Sequence, residues 1–425
     1  MSIKERMRFF IKWTLGGAIQ RALIAGFAAA PNREGWEDRV LIVNLHGIGD
    51  IILGTPALRY YRRYFRGKRI FMLVPDTAGF SDGAMGRDVD VVLRTDVRRF
   101  SLDPRYALRE VNRLRGIGFG TVIDDCVSIR SAASGEIAVA LGSPRVVGYE
   151  GIGIEYADPA AAAYHRFAER HFLSRCTTRV PSLDKDFKEK GMAPRSAILH
   201  HFAICAAVTG ERECADASTV FEIDPADVAA ARTALRAFGL QETPYAAFVL
   251  GANDPIRRWP PERFAKVAEE ASRNGLQIVL LGAPSERPLV AAFAAATQVP
   301  YIDAVGRMSL MESAAAIKDA YCLISNDTGP VHIAIALGTP SLCIAGGAHI
   351  GTNSLYGRKG MNRWVYKDIG CLYDDWRCAA RQIRGMAPCI DAVSADDGVE
   401  GFRDLFRTIR GSDARRSGFM ASYTI

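Results

Sequence analysis

Short apolar runs alternate with longer stretches whose apolar residues recur at helical spacing, and the series occurs twice along the chain. The first opens with VLIVNL at Val40 and continues through Ile70–Val74, Val91–Leu93, Thr121–Asp125 and Arg145–Val147. Runs apolar at every position suit strands buried on both faces of a parallel sheet. Helical stretches fall between several of them, including Pro104–Leu114 and Pro56–Arg69, the latter with Thr55 as expected N-cap and Pro56 at the first helical position. The second series reads AAFVLG, PERFAKVAEEASRNG, LQIVLLG, a helix over Ser309–Ala320, YCLIS and SLCIAG. Such alternation predicts doubly wound α/β sheets. Phe221 to Thr243 marks the boundary: Asp224-Pro225 starts a helix-like run, and Gln241-Glu242-Thr243-Pro244 breaks the pattern before the next strand. The chain thus divides into an amphipathic N-terminal segment (1–35), two α/β domains (36–235 and 236–395) and a C-terminal helix and tail (396–425). Its 425 residues exceed one ordinary core and suit two. Gly151 to Asp224 carries no motif.

The N-terminal segment has its own pattern. Phe9 to Phe27 is strongly apolar, with Trp13, Leu15, Ile19, Leu23 and Ile24 mainly on one helical side, but Lys12, Gln20 and Arg21 interrupt it. It therefore lacks the run of about 20 apolar residues that a membrane span needs. A basic start and Ala28-Ala29-Ala30 outline a signal peptide, whose apolar region Gly16, Gly17, Gln20 and Arg21 would break. An interfacial helix on an anionic inner leaflet is the expectation, and a helix packed on its own domain the alternative. Composition, 49% hydrophobic and 24% charged, is that of a globular enzyme. Of the charged residues, thirteen Lys and Arg against five Asp and Glu lie in residues 1–70, so an anionic partner is expected at that end. The surplus does not continue and no nucleic-acid fold motif accompanies it, which argues against a nucleic-acid partner.

Ser325 to Pro340, SNDTGPVHIAIALGTP, reads as a strand end, a short polar loop, and an apolar helix stopped by Gly338 and Pro340. Backbone amides at the start of such a helix favour a phosphate or diphosphate. Thr328 offers a hydroxyl, Gly329 lets an anion approach closely, and His332 adds a donor one turn in. Asp327 or Thr328 acting as an ordinary cap is the competing reading. In the first half, His46-Gly47-Ile48-Gly49-Asp50 follows the first strand, where α/β sheets bind ligands, although Asp50 could equally cap the next helix. Arg59, Arg62, Arg63, Arg66, Lys68 and Arg69 make a basic cluster that either faces solvent or meets phosphates of an acceptor or a membrane. The pair His200-His201 is read as structural or solvent-facing, not as a metal site. Asp88-Val89-Asp90 and Asp184-Lys185-Asp186 lie outside the half that carries the phosphate loop, so no metal site is expected. Cys371, Cys378 and Cys389 lack paired zinc spacing, although they could still clip the tail.

Three stretches resemble glycosyltransferase family 9, the heptosyltransferase-like enzymes: VLIVNLHGIGDIILGTPALRYYRRYF from Val40, FVLGANDPIRRWPPERFAKVAEEASRNGLQIVLLGAPSE from Phe248, and the Ser325 stretch. The cysteine-bearing tail is a looser match. The resemblance implies the GT-B fold, two Rossmann-like domains facing across a cleft, with no cofactor. It implies Asp50 as catalytic base; Gly49 beside it, and Arg59, Arg62 and Arg63 of the basic cluster, are the candidate acceptor contacts. On the donor side it implies Arg257 or Arg258 on the diphosphate, where many relatives carry Lys, and Asp327, Thr328, Gly329 and His332 at the phosphates. Glu286, after the next strand, is either placed for ribose hydroxyls, by analogy with other α/β folds, or only a helix cap. ADP-heptose is the expected donor and lipopolysaccharide or a lipid-linked glycan the acceptor, at the inner face of the cytoplasmic membrane. A family 9 enzyme with another donor or acceptor, a nucleotide-sugar epimerase on the same fold, and a glycan-binding protein with a degenerate site remain as alternatives.

Overall fold

The computed structural model describes residues 16–127, 132–150, 170–183, 196–370, 372, 386–412 and 423–424. Residues 1–15, Cys371, Cys378 and the Asp184–Lys190 run lie outside them. The chain forms two compact units: residues 1–78, 87–214 and 423–425, and residues 79–86 and 215–422. The expected division at 235/236 therefore falls later than the one observed. The Pro225–Ala237 helix belongs with the second unit, where Arg232 holds Asp319 through Nε at 2.6 Å.

In the first unit, strands β1 (Arg39–Val43), β2 (Arg69–Pro75), β3 (Val91–Thr95), β4 (Thr121–Asp124), β5 (Arg145–Tyr149) and β6 (Thr178–Val180) make one sheet, ordered β3-β2-β1-β4-β5-β6. All its pairings are parallel. Val40 to Val43 are fully buried, as an all-apolar central strand requires. A short strand β7 (Glu213–Cys214) pairs antiparallel with β14 (Tyr423–Thr424).

The helix after β1 spans Ile48–Tyr64, not Pro56–Arg69, and its N-cap is Gly47 rather than Thr55. Pro56 has no N–H for the Ile52 carbonyl, and the Thr55 hydroxyl donates to that oxygen instead at 2.7 Å, so the helix runs through the proline. Pressed against it lies the Ala197–Thr209 helix, and a methyl at Gly54 would sit 3.1 Å from Asp125 Oδ2. Gly16–Phe27 is a helix packed by one face on this unit: Arg21 Nη1 donates to Glu136 Oε1 at 2.7 Å, and Ile24 joins the core. Its Ile19 and Phe27 are 48% and 72% exposed. Among the described residues, no helix is long and apolar enough to cross a membrane.

In the second unit, β8 (Tyr245–Val249), β9 (Gln277–Leu281), β10 (Tyr301–Asp303), β11 (Cys322–Asn326), β12 (Ser341–Ile344) and β13 (Asn362–Val365) form a parallel sheet ordered β10-β9-β8-β11-β12-β13. Trp259, fully buried, anchors the core beside Phe264, its indole N–H donating to the Val393 carbonyl at 2.8 Å. Cys389 is buried in the same core.

Candidate functional site

The loops at the carboxyl ends of β8, β9 and β11 meet in the second unit. After β8, Asp254 caps a short turn, Pro255–Arg257, through the Ile256 amide. Arg258 Nε donates back to the Ala252 carbonyl at 2.9 Å. Arg258 thereby secures the loop and Arg257 reaches out of it: Arg257 Nη2 lies 3.3 Å from Asp327 Oδ2. Asp327 is 2% exposed, and neither of its carboxylate oxygens has a hydrogen bond among the described residues. Arg257 balances its charge, and His332 Nε2 lies 3.8 Å from Oδ1. His332, buried one turn into the Gly329–Leu337 helix, shares a 2.7 Å hydrogen bond between Nδ1 and the Tyr356 hydroxyl.

The ordinary-cap reading of this loop is not realised. Thr328 occupies the N-cap position without a side-chain cap bond, and its hydroxyl turns 3.4 Å from the Asn326 carbonyl. Glu286 lies across the ends of two strands. Its Oε2 accepts from the Ala283 amide at 2.8 Å, and a methyl on Gly251 or Gly282 would collide with its carboxylate. It both closes its own turn and presents a half-buried carboxylate beside the loops that follow β8 and β9. Sequence reasoning passed over two members. Tyr356 has no local signal, being 24 residues from His332. Asn326 stands next to Asp327 and is fully buried.

In the first unit, Gly47, Ile48, Gly49 and Asp50 open the helix after β1, and Asp50 sits inside its first turn rather than at the cap. A carboxylate there is favoured by the helix dipole. The structure does not bring Arg59, Arg62 and Arg63 to it. They lie nine to thirteen residues further along the same helix, about 14 to 20 Å away at 1.5 Å per residue. Arg62 is engaged otherwise, donating to the Lys68 and Asp88 carbonyls and to Asp90 Oδ2 at 2.7 Å. Arg63 pairs with Glu211 at 3.3 Å and lies over the Tyr60 ring.

Beneath this helix is a buried polar group that patterning did not reveal. His201 Nδ1 meets Asp125 Oδ2 at 2.9 Å, and His200 bonds the Tyr149 hydroxyl. Both histidines are fully buried, so the structural reading holds and the solvent-facing one does not. Burial drives the neighbouring Asp124 carboxyl up to about 7. It also holds the Cys126 thiol well above its usual range, leaving that cysteine unreactive.

Two parallel sheets of one strand order, each flanked by helices, define a doubly wound α/β architecture. Residues 175–369 match the family model described as glycosyltransferase family 9 (heptosyltransferase). This stretch contains Arg257, Glu286 and the Asp327–His332 loop and leaves Asp50 outside. Lipopolysaccharide heptosyltransferase 1 of Salmonella typhimurium is 32% identical over 119 residues, 28% of this chain and 37% of that protein. Lipopolysaccharide heptosyltransferase 1 of Pseudomonas aeruginosa is 27% identical over 164 residues, 38% of this chain and 41% of that protein. The chain thus matches well under half the length of these curated relatives. Among solved structures, the glycosyl transferase family 9 protein of Veillonella parvula superposes with a TM-score of 0.67 at 20% identity, covering 89% of this chain and all of that one. The E. coli ADP-heptose lps heptosyltransferase II does so at 0.64 and 16%, covering 88% and 100%. Residues 175–369 are thus similar to glycosyltransferase family 9, and the chain has the α/β fold of these structures.

Proposed function

We propose that this protein is an inverting glycosyltransferase that moves a sugar, heptose from ADP-heptose, onto a lipopolysaccharide core or a related bacterial glycan. The observation that carries the reading is the Arg257–Asp327–His332 cluster at the start of the Gly329–Leu337 helix, inside the stretch that matches the family model. A diphosphate placed there meets a guanidinium that can grip two of its oxygens, together with the positive end of a helix. Buried Asp327 fixes where Arg257 and His332 point. Glu286 is available to ribose hydroxyls. The printed descriptions of the relatives, lipopolysaccharide heptosyltransferase and ADP-heptose lps heptosyltransferase, support the choice of sugar and acceptor.

In the proposed reaction Asp50 takes the proton of an acceptor hydroxyl, whose oxygen attacks the anomeric carbon. The bond from that carbon to the diphosphate breaks, its electron pair leaves on the phosphate oxygen, and the anomeric centre inverts. Arg257 and the helix start receive the departing charge. The site of action extends to an anionic membrane surface on the cytoplasmic side. Exposed Ile19 and Phe27, preceded in sequence by Lys4, Arg6, Arg8 and Lys12, support this.

Calorimetric titration of ADP, UDP, GDP and CDP tests the donor side. ADP is expected to bind best, with Arg257→Ala weakening it about tenfold or more. Preference for another nucleotide would displace ADP-heptose as donor. Asp50→Asn is expected to keep ADP affinity while transfer to a deacylated lipopolysaccharide acceptor falls at least ~100-fold. Undiminished transfer by that variant would rule Asp50 out as base.

A further inference from the structure

Asn326 is the last residue of β11, and its side chain makes three hydrogen bonds to a loop more than sixty residues away in sequence. Nδ2 donates to the carbonyls of Leu250 at 2.9 Å and Gly251 at 3.1 Å, at the beginning of the loop that follows β8. Oδ1 accepts from the Trp259 amide at 2.9 Å, at the end of the same loop. One amide therefore closes the base of the loop that bears Arg257. The backbone of the same residue serves the other side, since its carbonyl accepts from the Ser325 hydroxyl at 2.8 Å and faces the Thr328 hydroxyl at 3.4 Å. The next residue is Asp327, the carboxylate against which Arg257 lies.

We infer that Asn326 is a positioning residue that locks the Arg257 loop to the Asp327–Gly329 loop, so that both present one preformed diphosphate site. The inference rests on the proposed reading of that site as a nucleoside diphosphate pocket. Chemistry narrows the choice of side chain. Two acceptors and one donor surround the position, and a primary amide supplies two N–H donors and one acceptor in one plane. Aspartate has the same outline but would turn an oxygen toward two carbonyls. Alanine would leave two carbonyls and one amide unpaired in a fully buried place. With the lock removed, the loop still carries Arg257 but must order on binding, so the loss appears as diphosphate affinity.

The experiment is a binding cycle on the full chain with ADP and adenosine as probes, using Asn326→Ala, Arg257→Ala and the double variant, with thermal unfolding followed in parallel. Asn326→Ala is expected to weaken ADP about tenfold while leaving adenosine within about twofold. Once Arg257→Ala is present, adding Asn326→Ala is expected to cost little more, because the two residues act as a unit. Equal losses for ADP and adenosine, or additive losses in the double variant, would overturn the positioning role and leave Asn326 a residue of the core. Asn326→Ser keeps a single hydroxyl and carries the same expectations at smaller amplitude, so the question survives a failure of the alanine variant to fold. ADP binding by the unsubstituted protein separates the two levels. If it is absent, the reading of the site fails together with the inference, whereas if it is present but unchanged in both Asn326 variants, only the inference fails.

Discussion

Asp124 ends β4 with its carboxyl sealed from solvent, and burial outweighs the hydrogen bonds from Ser134 and Cys126 to raise its pKa to about 7. A carboxyl whose folded pKa exceeds its unfolded value, about 3.9, holds its proton more tightly in the fold. Its ionisation therefore costs stability as pH rises from about 4 to about 7, the cost being absent below that window and complete above it. Asp124→Asn cannot ionise. Relative to the unsubstituted protein it is expected to be roughly 1–3 kcal/mol better off at pH 8 than at pH 4, read from urea midpoints at both values. A difference that does not change with pH would show that Asp124 is not the titrating group. At this scale the sequence was legible where a residue acts through its own neighbourhood. Thr328, Gly329 and His332 share one loop and helix, and that is a pattern one can read. Tyr356 against His332, and Asp125 against His201, are joined only by the folding of distant segments, and no spacing announces them.

The Ile48–Tyr64 helix shows why boundaries were harder to read than elements. Thr-Pro is a strong start signal, and here it falls in the middle of a helix because the threonine hydroxyl occupies the carbonyl that the proline leaves open. Thr55→Val removes that hydroxyl at constant shape and leaves the Ile52 carbonyl unpaired in a buried place. The expected loss is about 1–3 kcal/mol in urea unfolding, and a neutral result would mean that the carbonyl needs no partner there. The central strands were legible because apolar runs buried on both faces admit little else. Edge strands β6, β10 and β13 were not. β13, for example, is half-buried along its length, and Asn362-Arg363-Trp364-Val365 has no period that stands out from a loop.

The whole chain comprises two units of comparable size, and the three bonds of Asn326 and the whole Arg257–His332 cluster belong to the second. ADP is therefore expected to raise the unfolding temperature of that unit while leaving the first unit's transition in place. At a hundredfold excess over Kd the stabilisation is about 2.7 kcal/mol. Hydrogen exchange resolved by peptide checks this, and protection spread evenly over both units would contradict it. The proposed membrane contact involves the Gly16–Phe27 helix of the first unit. Ile19→Glu with Phe27→Glu is expected to lower co-sedimentation with phosphatidylglycerol-containing vesicles several-fold, without changing ADP affinity. Unaltered co-sedimentation would remove this helix from the proposed surface.

The two sheets share one strand order, and their central pairs are in the same register: β1 ends at Val43 opposite Asp124, and β8 ends at Val249 opposite Ser325. Counting one residue past each pairing reaches Asp125 in one unit and Asn326 in the other. The two halves thus share a coordinate system, and a position found important in one is an address to inspect in the other. At this address a carboxylate receives a histidine in the first unit, and an amide spans two carbonyls in the second. The same seat, a carboxylate in one half and an amide in the other, holds a buried histidine in the first and the Arg257 loop in the second.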